Sequence, residues 1–242
     1  MQLPISRLSV APNSPFPPVE NSLKEPNGLL AYGGDLSATR LLNAYHSGIF
    51  PWYEQDGPIL WWSPDPRALF LSTRVHLSKR FRKELKSSTW HVTADTVFEK
   101  VIAQCATIPR AQQDGTWIHP EMQKAYLNLH NMGYGHSIEV FDGKDLIGGL
   151  YGVAIGKMFF AESMFSARSG GSKVALAALG RFLAKNAIFF FDAQMLTPHL
   201  VSMGAIAVPR AQFIEQIQKL TNMQDSPRDW SLAIGDFPAN RL

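Results

Sequence analysis

The sequence predicts a mixed α/β protein, with a small irregular N-terminal domain over residues 1–65 and a helix-covered sheet over residues 66–242. Three observations lead there. Three strand-like runs, Ser137–Phe141, Leu146–Val153 and Met158–Phe165, are joined by the turn compositions Asp142-Gly143-Lys144 and Ile155-Gly156-Lys157, so they form an antiparallel meander. The last run leads through a glycine-bearing loop into a helix and then a fully apolar strand, Ile188–Phe191. That is a β-loop-α-β crossover, which joins parallel strands, and its second strand reads as buried on both faces. Apolar residues make up 45% of the chain and charged residues 18%, enough to bury a sizeable core.

The elements follow in order. Residues 1–65 are rich in Pro, Gly and Trp, with one clear helix: Ser37 caps it, Leu41, Leu42 and Tyr45 share a face, and Gly48 stops it. Ser63-Pro64-Asp65-Pro66-Arg67 marks the domain boundary. Asp95 or Thr96, the latter with Glu99 three residues on, opens a helix that carries Val97, Val101, Ile102 and Cys105 on one side. A second helix begins near Glu121 and presents Met122, Tyr126, Leu129 and Met132, with Gly133 as its stop. After the meander and crossover, a last helix carries Phe213, Ile214, Ile217 and Leu220.

Composition narrows the function classes. Lys and Arg total 23 against 20 for Asp and Glu, a formal charge of +3, which permits a nucleic-acid partner with a local footprint only. Cys105 is the single cysteine, which excludes an intrachain disulfide and a cysteine-rich zinc site, and its apolar helical face makes it a core residue. His119, His130, His136 and His199 lack metal-ligand spacing, so no metal is expected, and there is no Gly-x-Ser-x-Gly elbow. Neither the start, Met1–Arg7, nor the longest apolar run, Ala187–Phe191, reads as a signal peptide or a membrane span. A cytoplasmic protein is expected.

Five features are candidates for chemistry or binding. Asp192-x-Gln194 lies past the carboxyl end of the buried strand, where residues i and i+2 of an extended chain face one crevice and open α/β sheets bind ligands. The alternative is a loop-capping Asp and a solvated Gln. Glu162 interrupts an apolar run and needs a hydrogen-bonding or cationic partner if buried; it is otherwise a sheet-edge carboxylate facing water. The loop Arg168-Ser-Gly-Gly-Ser-Lys173 opens a helix, where backbone N–H groups can gather an anion, although an ordinary tight turn fits equally well. Trp52 and Trp117 in loops are candidates for stacking on a base, against the commoner role of core packing. Lys79–Lys86 concentrates five cations in eight residues, either a phosphate contact or a solvated helix face.

Together these segments resemble the bacterial leucyl/phenylalanyl-tRNA–protein transferases. The matching stretches include Glu25-Pro-Asn-Gly-Leu-Leu-Ala-Tyr-Gly-Gly-Asp-Leu36, Gly48-Ile-Phe-Pro-Trp52, Trp61-Trp-Ser-Pro-Asp-Pro-Arg67, Asp114-Gly-Thr-Trp-Ile118, His136-Ser-Ile-Glu139, Gly148-Gly-Leu-Tyr-Gly152 and Glu162-Ser-Met-Phe-Ser166. Ser172-Lys173 and Asp192-x-Gln194 complete the set, in order, over about residues 20 to 215. The pattern departs from the family's at Ala161, Gly171 and Phe191, where glycine, alanine and isoleucine are common.

The resemblance implies a small N-terminal domain and a C-terminal domain like the Gcn5-related acetyltransferases. It implies transfer of Leu or Phe, and Met less well, from aminoacyl-tRNA to an N-terminal Arg or Lys, marking the acceptor for degradation. The donor ester is already activated, so no cofactor, ATP or metal is expected. Asp192, Gln194 and Glu162 would form the chemical centre, with Gln194 positioning the attacking amine rather than acting as a base. Leu150, Phe159, Met164, Leu179 and Phe191 would hold the transferred side chain. Trp52 and Trp117 would close on the terminal adenosine and acceptor peptide, with Ser172 near the nucleotide. Lys79, Arg80, Arg82 and Lys83 would touch the tRNA arm. An acetyl-coenzyme A-dependent N-acetyltransferase and a non-catalytic RNA-binding module are the rival readings.

Overall fold

Trp61 is the residue around which the N-terminal segment organises: it is fully buried, and its indole N–H donates to the Gly33 carbonyl at 2.9 Å. In the computed structural model, which describes residues 5–108, 118–224 and 229–242, this segment is less irregular than its composition suggests. Strands β1 (Ser6–Leu8), β2 (Leu29–Gly33), β3 (Phe50–Pro51) and β4 (Leu60–Trp62) form a sheet in the order β1-β2-β4-β3, with helix α1 (Ala38–His46) between β2 and β3. These strands are too short, and too broken by Pro and Gly, to show an alternating pattern. Helix α1 is capped as expected: Ser37 Oγ accepts the Arg40 N–H at 3.3 Å, and Gly48 ends the turn in the left-handed region at φ 70°.

The second sheet is larger. Its strands and helices run β5 (Arg67–Leu71), α2 (Lys79–Lys86), β6 (Trp90–Ala94), α3 (Phe98–Thr107), α4 (Pro120–Asn131), β7 (Gly135–Asp142), β8 (Asp145–Ile155) and β9 (Met158–Ser166). They continue as α5 (Gly171–Lys185), β10 (Phe190–Asp192), α6 (Pro198–Ser202), β11 (Ile206–Val208), α7 (Arg210–Leu220), α8 (Trp230–Ile234) and β12 (Phe237–Pro238). The strand order is β11-β5-β10-β9-β8-β7-β6-β12. Strands β7, β8 and β9 form the expected antiparallel meander, and α5 carries the chain to β10, which lies parallel to β9 with Asp192 beside Phe160. The architecture is mixed α/β, as the sequence pattern predicts. Strand β5, which the sequence pattern did not mark, pairs antiparallel with the other side of β10.

The two faces of this sheet feed two cores. One holds Tyr45, Trp61, Val101, Tyr126 and Phe160; the other holds Phe159, Leu179, Leu183 and Phe191 beneath α5. Strand β9 changes which parity faces which core, because Tyr151 pairs with Ser163 while the next residue, Gly152, pairs with Ala161. Glu162 is the extra residue of that β-bulge.

Two local expectations fail for physical reasons. Thr96 does not cap α3: its hydroxyl and backbone N–H both go to Glu139 Oε2, at 3.0 and 3.4 Å. Glu139 is fully buried and recruits Thr93 and Ser137 as well, so the demand of a buried carboxylate outweighs a surface cap, and α3 begins at Phe98 without one. The run before β10 is not buried throughout either, since Phe189 precedes the three-residue strand and is 70% exposed.

The glycines before α5 make room for neighbours. A Cβ on Gly170 would sit 2.4 Å from the Phe81 ring, and one on Gly171 would sit 2.4 Å from the Ile147 carbonyl oxygen and 2.8 Å from Gly148 Cα. Gly171→Ala therefore forces α5 away from β8. A loss of about 1–3 kcal/mol is expected, read as a lower urea midpoint at unchanged slope.

Candidate active site

Strand β5 begins with an arginine. Arg67 is 1% exposed, and a guanidinium in such a place needs an anion and further acceptors. It has both: Nε and Nη2 donate to Asp192 Oδ1 and Oδ2 at 2.8 and 2.7 Å, and Nη1 donates to the Gly48 carbonyl at 2.9 Å. The rings of Phe50 and Phe213 flank it, with centroids 4.9 and 4.7 Å from Cζ. The neighbouring β10 thus ends in a side chain clamped by β5, and Asp192 has no exposed surface.

Beyond Asp192 the chain leaves the strand. Asp192 Oδ1 also accepts the Gln194 backbone N–H at 2.9 Å, and Gln194 sits in the left-handed region at φ 62°. The two side chains therefore meet through a turn held by Asp192, not through the alternation of an extended chain; an Asp bonding the backbone two residues on is the local competitor of strand structure. The turn aims Gln194 at β9. Its Nε2 donates to Glu162 Oε1 at 2.7 Å.

Glu162 is 8% exposed and is pointed by the β9 bulge at two phenols. Tyr45, from the apolar face of α1, donates to Oε1 at 2.7 Å; Tyr126, from α4, lies 2.9 Å from Oε2; and the two phenol oxygens lie 2.6 Å apart. Burial raises the Glu162 pKa to about 7, against the lowering effect of the two phenols; the nearby Asp192 raises it and Arg67 lowers it. Burial and the Glu162 charge push both phenols well above their ordinary value.

Of these groups, Glu162 and Gln194 reach the wall of a cavity of about 330 Å³, whose lining also includes Phe50, Trp52, Met164 and Leu200. The structure thus brings together Asp192, Gln194 and Glu162, with Trp52 half-buried across from them and packed on Trp62. Of the expected pocket residues, Met164 lines the cavity, while Leu150, Phe159, Leu179 and Phe191 are buried in the core against which Met164 packs. Ser172 lies at the start of α5, where its N–H donates to Ser166 Oγ at 2.8 Å. Trp117 lies outside the described residues. Lys79, Arg80, Arg82 and Lys83 are exposed on α2, although Arg80 is paired with Glu84 and Arg82 donates to the Leu77 carbonyl. Among the described residues, no cluster of His, Cys, Asp or Glu could hold a metal, and no helix is long and apolar enough to cross a membrane.

Sequence reasoning did not single out Arg67, Tyr45 or Tyr126 as functional. Signals existed: a charge opening the apolar run Ala68-Leu69-Phe70-Leu71, and two tyrosines on otherwise apolar helical faces, whose hydroxyls need partners when buried.

A mixed α/β scaffold that sets a buried carboxylate of raised pKa and a clamped amide into the wall of a mostly apolar cavity has the features of an enzyme's active site. Its family is given by comparison. Residues 69–218 match the leucyl/phenylalanyl-tRNA protein transferase family, and residues 34–65 match that family's N-terminal domain. A relative from Xanthomonas axonopodis pv. citri, named leucyl/phenylalanyl-tRNA–protein transferase, is 57% identical over 97% of this chain and 94% of its own. One of the same name from Xylella fastidiosa is 54% identical over the whole of both chains. The chain belongs to the leucyl/phenylalanyl-tRNA–protein transferase family.

The clamp has a stability consequence. Arg67→Met leaves Asp192 as a buried carboxylate without its cation, and a loss of about 3–5 kcal/mol is expected in urea unfolding. The double variant Arg67→Met with Asp192→Leu should recover most of it. Glu162 acts with the opposite sign to a paired carboxylate. Its folded pKa is raised from 4.5 to about 7, so its contribution to stability is full below pH 4.5 and is lost as pH rises toward 7. Glu162→Gln should remove that descending limb from the pH–stability curve.

Proposed function

We propose that Asp192, Gln194 and Glu162 carry out the aminoacyl transfer of this family at the cavity wall, moving Leu or Phe, and Met less well, from tRNA to an N-terminal Arg or Lys of an acceptor protein. Degradation of the acceptor in the cytoplasm belongs to the same reading. So does the division of the chain at residues 65 and 66, in which the N-terminal unit supplies Phe50 and Trp52 to the cavity and the larger domain supplies the polar wall. The observation that carries the reading is the state of Gln194. Its amide NH₂ is tied to Glu162, while its side-chain oxygen has no hydrogen-bond donor among the described residues and belongs to a side chain that lines the cavity.

An amide oxygen so fixed accepts a hydrogen bond from an incoming amine and sets its line of approach. The donor ester is activated, and the α-ammonium of an acceptor has a pKa of about 7.7–8, so little deprotonation has to be driven. Holding amine against ester supplies much of the rate. Asp192 acts one step back: it holds Arg67 with both oxygens and the Gln194 backbone with one, so it positions the amide. Met164, backed by the core of Leu150, Phe159, Leu179 and Phe191, offers the transferred side chain an apolar surface, which sorts side chains by only about 1–3 kcal/mol per methylene. Trp52 and Trp117 stack on the adenosine and peptide, Ser172 serves the nucleotide, and Lys79, Arg80, Arg82 and Lys83 meet tRNA phosphates.

The deciding assay offers charged Leu-tRNA or Phe-tRNA and a peptide beginning with Arg, with labelled acetyl-coenzyme A in a parallel arm. Transfer from tRNA alone supports the reading, and acetyl transfer alone replaces it with an N-acetyltransferase. In single turnover on bound substrates, Gln194→Ala should slow transfer on the order of a hundredfold, and Gln194→Glu should also fall because it faces Glu162. Wild-type rates from both would sink the role given to Gln194. Replacing Arg82 and Lys83 by Gln should weaken tRNA binding and flatten its salt dependence, by about one unit of slope for each phosphate no longer neutralised.

A further inference from the structure

The oxygens of Tyr45, Tyr126 and the Glu162 carboxyl form a closed ring through three contacts of 2.6, 2.7 and 2.9 Å. Each phenol carries one proton, so two protons serve three contacts when Glu162 is ionised, and one pair of oxygens then faces without a hydrogen between. A third proton, on either carboxyl oxygen, completes the circuit: carboxyl to one phenol, that phenol to the other, and the second phenol back to the carboxyl. Gln194 Nε2 donates to Oε1 in both states.

On the reading that aminoacyl transfer occurs at this cavity, we propose that Glu162 is the proton acceptor for the attacking amine, and that Tyr45 and Tyr126 are positioning residues that close the ring around the proton it takes. The entering α-ammonium gives a proton to the Glu162 carboxylate, which leaves the free amine against the Gln194 oxygen. Attack forms the C–N bond. The ester C–O bond breaks, the nitrogen loses its second proton to solvent, and the ribose oxygen of the departing tRNA takes the proton from Glu162. No other reactant is required, and Glu162 returns to its starting state.

The surroundings favour this traffic. A carboxyl whose pKa lies at about 7 is close to an amine at about 7.7–8, so the exchange runs near balance in either direction. The phenols stay protonated, because burial raises them well above 10. The other titratable groups facing the ring are Tyr151 on β8, packed edge-on against Tyr126, and the Arg67–Asp192 pair on β5 and β10, whose opposite charges act on Glu162 in opposite senses. Each phenol donates to the ionised carboxylate and holds its midpoint down, so removing either one should raise it.

The test combines infrared titration with single-turnover transfer from Phe-tRNA to an Arg peptide, on the full chain. Wild type should show a protonated-carboxyl band with a midpoint near 7, absent from Glu162→Gln, and displaced to higher pH in Tyr45→Phe and Tyr126→Phe. Transfer should fall by about a hundredfold or more in Glu162→Gln and lose the pH limb associated with that midpoint; in the phenylalanine variants the limb should move with the band. A wild-type pH profile in Glu162→Gln, or no such band in wild type, overturns the proposal while leaving transfer itself intact. Failure of wild type to transfer from Phe-tRNA at all overturns the functional reading beneath it. The infrared titration of wild type needs no variant to fold.

Discussion

The site is organised by one buried charge pair. Arg67 and Asp192 meet through two hydrogen bonds with no solvent at either side chain, and the guanidinium's other contacts come from two further parts of the chain. Gly48 and Phe50 come from the N-terminal unit, Phe213 from α7, and Asp192 from the end of β10. A buried pair of this kind adds little net stability, because desolvation offsets much of the attraction. Its value lies in what it forbids. Any arrangement that separates these four segments strands a charge in an apolar interior, so the fold and the cavity wall are specified together. Asp192 then passes that rigidity on, through its bond to the Gln194 backbone, to the amide that faces the cavity.

Two carboxylates lie close together here in contrasting company. Asp192 is held by a guanidinium. Glu162 has only neutral donors, two phenols and an amide, and burial raises it to about 7. Neighbouring acids whose environments differ in this way divide their roles: one is fixed in place by its partner, and the other is free to change charge near neutrality. The wall thus combines a rigid part and a titrating part, and Gln194 touches both.

Much of this was legible in the residues. The meander and crossover follow from turn composition and from a change of period, and the pairing of Glu162 with Gln194 follows from placing one on the strand flanking the other. The missing parts share a cause: they depend on contacts between segments far apart in sequence. Arg67 looks like the end of a turn until β10 is laid beside β5, and Tyr45 and Tyr126 look like core residues because, apart from their hydroxyls, they are. The short strands of the N-terminal sheet are held by pairing across loops, not by their own pattern. Thr96 shows local rules yielding to a buried acid.

The bulge at Glu162 changes how the cavity is to be understood. Strict alternation would set Phe159 and Met164 on opposite faces of β9, yet both belong with the core under α5, while Phe160 and Phe165 share the other. One supernumerary residue inverts the parity of the strand, and the acid sits at the inversion. Strand length is therefore a counted quantity: removing Glu162 would leave Phe159 and Met164 an even number apart, restore regular alternation with both on the face they already occupy, and abolish the acid's place at the inversion. The bulge lifts the acid out of the alternation without exchanging the two cores, so the extra residue and the position of the acid are gained or lost together.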